Sequence, residues 1–315
     1  MFQPYINNLL NNLPTRDNPI DIDLVLDGGV FNGSYLIGAL YFLKELEKIK
    51  YVKIKRISGC SVGAAVGLLY ALDKLDFSQK INQLIINQLK ETYKIPIVKD
   101  YKNILFENET LEKRKEIDIL QKVNDYLFVS YHKKSKKCLL FEKIIKQKYK
   151  TIDDLFDCVL RSCFVPFLID GNMLYKNKYI DGITPYIFEE TNNRKILYLD
   201  LCNNDKLHHM IDIKNEKSDN HRILTGILDA HLFFIKNKNT SMCSYVNDWT
   251  LIYKSQNQYK KYIFEYFAVF IITIIIYINN NYISNTNSNE VKSLVQMGRD
   301  ISFLIYKMIL KKCVN

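Results

Sequence analysis

Three short stretches of this sequence carry groups suited to acyl-transfer chemistry. Gly59-Cys60-Ser61-Val62-Gly63 fits G-x-S-x-G, in which a serine sits at a sharp turn from a strand into a helix. Such a turn lifts the hydroxyl to the top of a sheet, at a helix N-terminus whose dipole favours developing negative charge. Gly59 and Gly63 remove Cβ atoms that would collide there. Because an alcohol is a weak nucleophile near its own pKa, Ser61 needs a base within reach. Asp181-Gly182 ends an expected strand and offers a carboxylate that can point into the same crevice, although an Asp-Gly pair alone also reads as a hairpin turn. The third stretch is Asp27-Gly28-Gly29-Val30-Phe31-Asn32-Gly33, whose glycines let backbone N–H groups turn towards an oxyanion or a phosphate. It fails as a dinucleotide fingerprint. Val30 holds the middle glycine position, and Lys50 to Lys55 is basic where an acid for the ribose should fall.

These groups need elements to hold them. Residues 1–20, with Pro4, Pro14 and Pro19 among asparagines, predict a short helix or arm and then a loop. Asp21 to Leu26 is a strand, Ser34 to Lys50 a helix, Val52 to Ile57 a second strand and Ser61 to Leu72 a helix rich in small residues. Two strand, tight turn, helix units in succession predict a mostly parallel sheet with helices on its faces. From Phe77 to Lys150 the pattern is helical and polar on one side, which predicts an inserted helical layer. Within it, the lysine-rich run from His132 to Lys150 reads as a solvated helix face, with attraction to anionic lipid head groups as the alternative. Further strands are expected at Lys178 to Ile180 and Lys195 to Leu201, and an amphipathic helix at His221 to Lys236.

Tyr262 to Ile278 is the most apolar segment. Glu265 interrupts it, and the remaining run falls short of the roughly 20 apolar residues that a membrane-spanning helix needs. Its isoleucine-rich second half, followed by Asn279 to Asn281, predicts a buried strand preceded by a helical turn; a membrane anchor is the alternative. Glu290 to Lys307 has helical periodicity.

The chain has 315 residues, 44 Lys and Arg against 34 Asp and Glu, a net charge of +10 and 48% hydrophobic residues. Disordered, collagenous and low-complexity classes are excluded. The basic charge is scattered and not striped, which argues against a nucleic-acid partner. Seven cysteines without a CxxC pair, and no leader-like start, predict free thiols and an intracellular setting, with no signal peptide. Neither His208-His209 nor the isolated cysteines make a metal set, and no calcium-type loop occurs, so no cofactor is expected. A Ser…Asp…His order could be met by Ser61, Asp181 and His221 or His231; His231 sits on an apolar helical pattern where a core role is expected.

The Gly-rich loop, the Gly59 to Gly63 elbow, the block Arg161-Ser162-Cys163-Phe164-Val165-Pro166 and Asp181-Gly182 occur in an order that resembles the patatin-like phospholipase family, over roughly residues 21–190. The resemblance implies a three-layer α/β fold related to α/β-hydrolases: a mostly parallel central sheet flanked by helices. It further implies lipid acyl hydrolysis of phospholipase A or lysophospholipase type. Carried over, Ser61 is the nucleophile and Asp181 the general base of a two-residue centre without histidine. The N–H groups of Gly28, Gly29 and Val30 form the oxyanion hole, and Asp27, Gly33, Gly59, Gly63 and Gly182 support the motifs.

The family usually has a third glycine at position 30, a basic residue at 32, and Gly or Ala where Ile183 stands. Val30 keeps its donor role in this reading only at negative φ. A weakened or inactive lipid-binding relative, and a Ser-His-Asp esterase, are the alternative functions. The expected layout is an arm over 1–20 and one catalytic domain over 21–315. The expected partner is a phospholipid or other lipid ester at a membrane or micelle surface, with peripheral attachment; the sequence does not give an oligomeric state.

Overall fold

The computed structural model describes residues 2–107, 113–135, 141–191, 193–203 and 218–284, with isolated positions at 206, 210, 214, 304, 308, 311 and 312. A seven-stranded sheet runs in the order β4-β3-β2-β1-β6-β7. Its strands are β1 (Ile20–Leu26), β2 (Val52–Cys60), β3 (Leu127–Lys134), β4 (Phe141–Lys146), β5 (Tyr179–Ile180), β6 (Lys195–Leu199) and β7 (Cys243–Tyr245). The central strands β3, β2, β1 and β6 are parallel, while β4 and β7 lie antiparallel at the edges and β5 pairs antiparallel with β3.

Alternation along the central strands divides the core in two, because successive side chains leave a strand on opposite faces. Leu24, Leu26, Leu127, Val129, Leu197 and Leu199 point to one face. There they meet α2 (Gly33–Lys48), α3 (Val62–Ala71), α7 (Ile152–Ser162) and α8 (Asn220–Lys236) in one buried cluster. Val25, Phe128, Ile196 and Tyr198 point the other way, against Phe188 and Trp249. The second face is crossed by a long helix, α9 (Leu251–Ser284), which contacts it through Lys261 and the Tyr198 hydroxyl. The result is the expected α/β architecture, a central and mostly parallel sheet flanked by helices. Ile6 on α1 (Gln3–Leu10) joins the main core, so the N-terminal segment is packed against the domain.

Three expectations need correction. The helical layer comprises α4 (Phe77–Thr92), α5 (Tyr101–Leu105) and α6 (Lys113–Val123), and it stops there. The run from His132 onward is not a helix face: its described part belongs to β3 and β4, whose antiparallel ladder pairs Tyr131 with Ile144 and His132 with Lys143. The spacing of Ile144 and Ile145 suited either period, and the antiparallel ladder with β3 decided for a strand. Tyr262 to Ile278 is likewise not a strand but part of α9. The i, i+4 pair Lys261 and Glu265 lies on one side of that helix, and both side chains reach the domain. The helix expected over Glu290 to Lys307 lies outside the described residues except at Leu304.

Candidate active site

The elbow forms where β2 enters α3. Ser61 takes φ 51° and ψ −130°, a left-handed setting that a side-chain-bearing residue rarely adopts and that costs about 1–3 kcal/mol. The packing around it explains the glycines: a Cβ on Gly63 would stand 2.6 Å from the Asp27 carbonyl, and one on Gly59 would stand 2.6 Å from the Gly63 carbonyl. What holds the strained turn comes from α7. Thr151 caps that helix by accepting the Asp154 N–H at 3.1 Å, and its last residue, Ser162, accepts the Ser61 N–H at 2.9 Å. The Ser162 hydroxyl donates in turn to the Ser130 carbonyl at 2.6 Å, and the Cys163 thiol to the Ser61 carbonyl at 3.0 Å.

Asp181 follows β5 and is brought to the elbow. Cys60 Sγ donates to the Ile183 carbonyl at 3.6 Å, and a Cβ on Gly28 would lie 3.3 Å from the Ser61 Cβ and 3.4 Å from the Ile183 carbonyl. Asp181 Oδ1 accepts the Ile183 N–H at 2.8 Å, whereas Oδ2 is shut off from solvent without a full hydrogen bond. Burial pushes the carboxyl up to about 6; the Ile183 amide, the nearby Ser61 hydroxyl and the charge of His132 pull it partly back. A carboxylate with an unsatisfied oxygen beside a strained serine is able to accept that serine's proton.

The glycine-rich loop departs from expectation in two ways. Val30 has φ 46°, not a negative value. The loop therefore follows the path a glycine would take, and the β-branched side chain bears the strain. The Gly28 N–H is already committed to Asp27 Oδ1 at 3.0 Å, while among the described residues those of Gly29 and Val30 make no hydrogen bond. At position 32 the missing basic side chain has a counterpart from elsewhere. Arg222 on α8, 1% exposed, donates through Nη1 to Asn32 Oδ1 at 2.9 Å and to the Phe31 carbonyl at 3.2 Å. Gly33 packs so closely on α3 that a Cβ would meet Val62 Cγ2 at 2.4 Å.

Beside the elbow lies a cavity of about 340 Å³ lined by Ser61 and by apolar side chains that include Val30, Phe31, Ile37, Val66 and Ile85. That volume is within the range of ligand pockets, and an apolar lining beside the serine suits an acyl chain.

Residues 24–184 match the family model for Patatin-like phospholipase. The chain belongs to this family. Lipid acyl hydrolysis is the family's chemistry, and a lipid ester its class of substrate. No curated protein matches the chain.

A second set of residues, which no local motif announces, surrounds the Ser61 elbow and the Asp27 and Asp181 loops of this family member. His132 on β3 places Nδ1 2.8 Å from the Asp181 carbonyl and Nε2 3.0 Å from Glu265 Oε1. Glu265 Oε2 also accepts from Lys143 at 2.7 Å and from the Thr184 hydroxyl. Burial would raise the Glu265 carboxyl, but His132 and Lys143 hold it down at about 2. On the loop side, Lys261 Nζ meets Asp27 Oδ2 at 2.9 Å. Asp27, Asp200 and Cys202 have ligand atoms within 4.8 Å of one another, but the Lys261 ammonium already brings a positive charge to that carboxylate pair. Of the two histidines considered for a triad, His231 donates to the Leu9 carbonyl at 3.1 Å and meets Phe42 edge-on, and His221 contacts the Ser218 carbonyl at 3.3 Å. No helix among the described residues is long and apolar enough to cross a membrane.

Proposed function

We propose that this protein is a serine acyl hydrolase of phospholipase A or lysophospholipase type that works through a Ser61–Asp181 dyad. The observation that carries the reading is the buried, unsatisfied Asp181 Oδ2 beside a serine held at a strained strand-to-helix turn on the wall of an apolar cavity. The acyl chain of the lipid occupies the cavity and sets its ester carbonyl against Ser61. Asp181, ionised, takes the hydroxyl proton as Ser61 Oγ attacks the carbonyl carbon. The tetrahedral oxyanion is held by the N–H groups of Gly29 and Val30, the latter without a partner among the described residues and in the strained glycine-like conformation, not at the negative φ the sequence required; Gly28 contributes only if its bond to Asp27 opens. Asp181 returns the proton to the leaving alcohol, leaving an acyl-enzyme. Water then attacks with Asp181 again as base, and the fatty acid departs.

Residues 21–315 act as one catalytic domain with residues 1–20 as its arm, at the surface of a membrane or micelle to which the protein attaches peripherally. Ser61→Ala tests the reading: fatty-acid release from phospholipid vesicles should fall to background, and release at the parental rate would end it. The commitment of the Gly28 amide and the strain at Val30 favour a second reading, a lipid-binding relative of low activity. Intact vesicle binding by a protein whose Ser61 resists a fluorophosphonate would support that one.

A further inference from the structure

The helix α9 is attached to the domain in an unusual manner. Its segment from Tyr262 to Tyr277 is almost wholly apolar or aromatic, yet among the described residues none of its side chains belongs to a buried apolar cluster. Ile276 alone among its described side chains is buried. The described polar anchors lie along one stripe: Lys254 to Glu190, Lys261 to Asp27 and Tyr198, and Glu265 to His132, Lys143 and Thr184. The remaining arc is presented outward, with Tyr262 65%, Phe264 61%, Phe267 60%, Phe270 46% and Ile271 40% exposed. A soluble domain rarely leaves such a contiguous apolar surface unless something covers it.

We infer that the outer arc of α9 is the surface by which this protein seats on a phospholipid bilayer. The choice of occupant rests on the lipid-ester reading above together with three features of the helix. Residues 251–264 carry Lys254, Lys260 and Lys261 and no acid, and residues 266–277 carry no charge at all, the distribution of an element that lies along a membrane interface. Tyrosines at 253, 259, 262, 266 and 277 interleave the apolar side chains, and their amphipathic rings suit the head-group level. The inner stripe is fastened to the residue before Gly28 and, through His132, to Asp181 itself, so the helix that meets lipid is joined to both motif loops.

The test uses the full chain carrying Ser61→Ala, so that hydrolysis does not alter the membrane, and sedimentation with phosphatidylcholine–phosphatidylserine vesicles. Adding Phe264→Ser, Phe267→Ser and Phe270→Ser should weaken binding by roughly a hundredfold. Ile49→Ser and Ile117→Ser, equally exposed but off this helix, should leave it within about twofold. Unchanged binding of the triple variant overturns the proposal. So does lipid-free self-association that the same substitutions abolish, since a second copy would then cover the face. Should the triple variant fail to fold, Phe267→Trp in the otherwise parental chain serves instead. Brominated phospholipid should quench it beyond the signal of Trp249, and no added quenching overturns the seat. A chain that binds through this face but with Ser61 intact releases no fatty acid refutes the hydrolase reading alone. One that hydrolyses ester but binds vesicles regardless of these substitutions refutes the seat alone.

Discussion

Ser162 accepts the backbone N–H of Ser61 at 2.9 Å and donates its own hydroxyl proton to the Ser130 carbonyl at 2.6 Å. This relay ties the end of α7 to the elbow and to β3. It gives the Arg161-to-Pro166 block a physical role, holding the buried Ser61 N–H of the strained turn. Ser162→Ala deletes both bonds. The Ser61 N–H would lose the Ser162 hydroxyl, at a cost of about 1–3 kcal/mol. A lower thermal midpoint is expected, with kcat for ester hydrolysis reduced about tenfold and KM little changed; a parental melting curve would contradict the relay's role.

In the proposed dyad, the raised pKa of Asp181 sets an acid limit on activity. Burial favours the neutral acid, so the carboxyl ionises near pH 6 and not near 3.8. Below that value the base is protonated and cannot accept the Ser61 proton. The profile of kcat/KM should therefore fall about tenfold per pH unit beneath an apparent pKa near 6. The effect on stability has the opposite sign: the fold binds this proton more tightly than the unfolded chain, so the Asp181 contribution favours folding as pH drops from about 6 towards 4. Asp181→Asn should abolish the limb and lower the rate by about 10²–10⁴. A profile flat through pH 6 would count against Asp181 as the base.

Arg222 brings a guanidinium from α8 to the loop position where the family usually has its own basic side chain, bonding Phe31 and Asn32. Arg222→Met retains much of the volume but deletes two charged hydrogen bonds, each worth about 1.5–3 kcal/mol. Reduced stability and a reduced kcat are expected. Arg222→Lys should recover only part of both, because an ammonium lacks the planar fork. Full recovery by lysine would show that charge alone matters there.

The cavity predicts chain-length selectivity. Ile85→Trp on α4 narrows the apolar lining without touching the elbow. Long-chain esters should lose more kcat/KM than short-chain ones, by about tenfold for each 1.4 kcal/mol of lost apolar contact. Equal losses across chain lengths would exclude this cavity as the acyl site.

Much of the candidate site is legible in the sequence because its motifs are local. A strand, a Gly-flanked serine and a small-residue helix occupy consecutive positions, so β2, Ser61 and α3 can be read from spacing alone. The partners that surround them are not local. His132 meets Glu265 across 133 positions and Lys261 meets Asp27 across 234, and no periodicity announces such contacts. The isoleucines of α9 suggested a strand because β-branched residues favour sheets, but tertiary anchoring at Lys261 and Glu265 overrode that preference. Val30 illustrates a third limit. Its residue type argues for negative φ, while the loop between β1 and α2 imposes 46°.

The most direct test of the central claim is mass spectrometry of the protein after exposure to a fluorophosphonate. A single covalent adduct on the Ser61 hydroxyl is predicted, lost in Ser61→Ala and strongly slowed in Asp181→Asn. An unlabelled parental chain, or an adduct that persists when Ser61 is replaced, would contradict it.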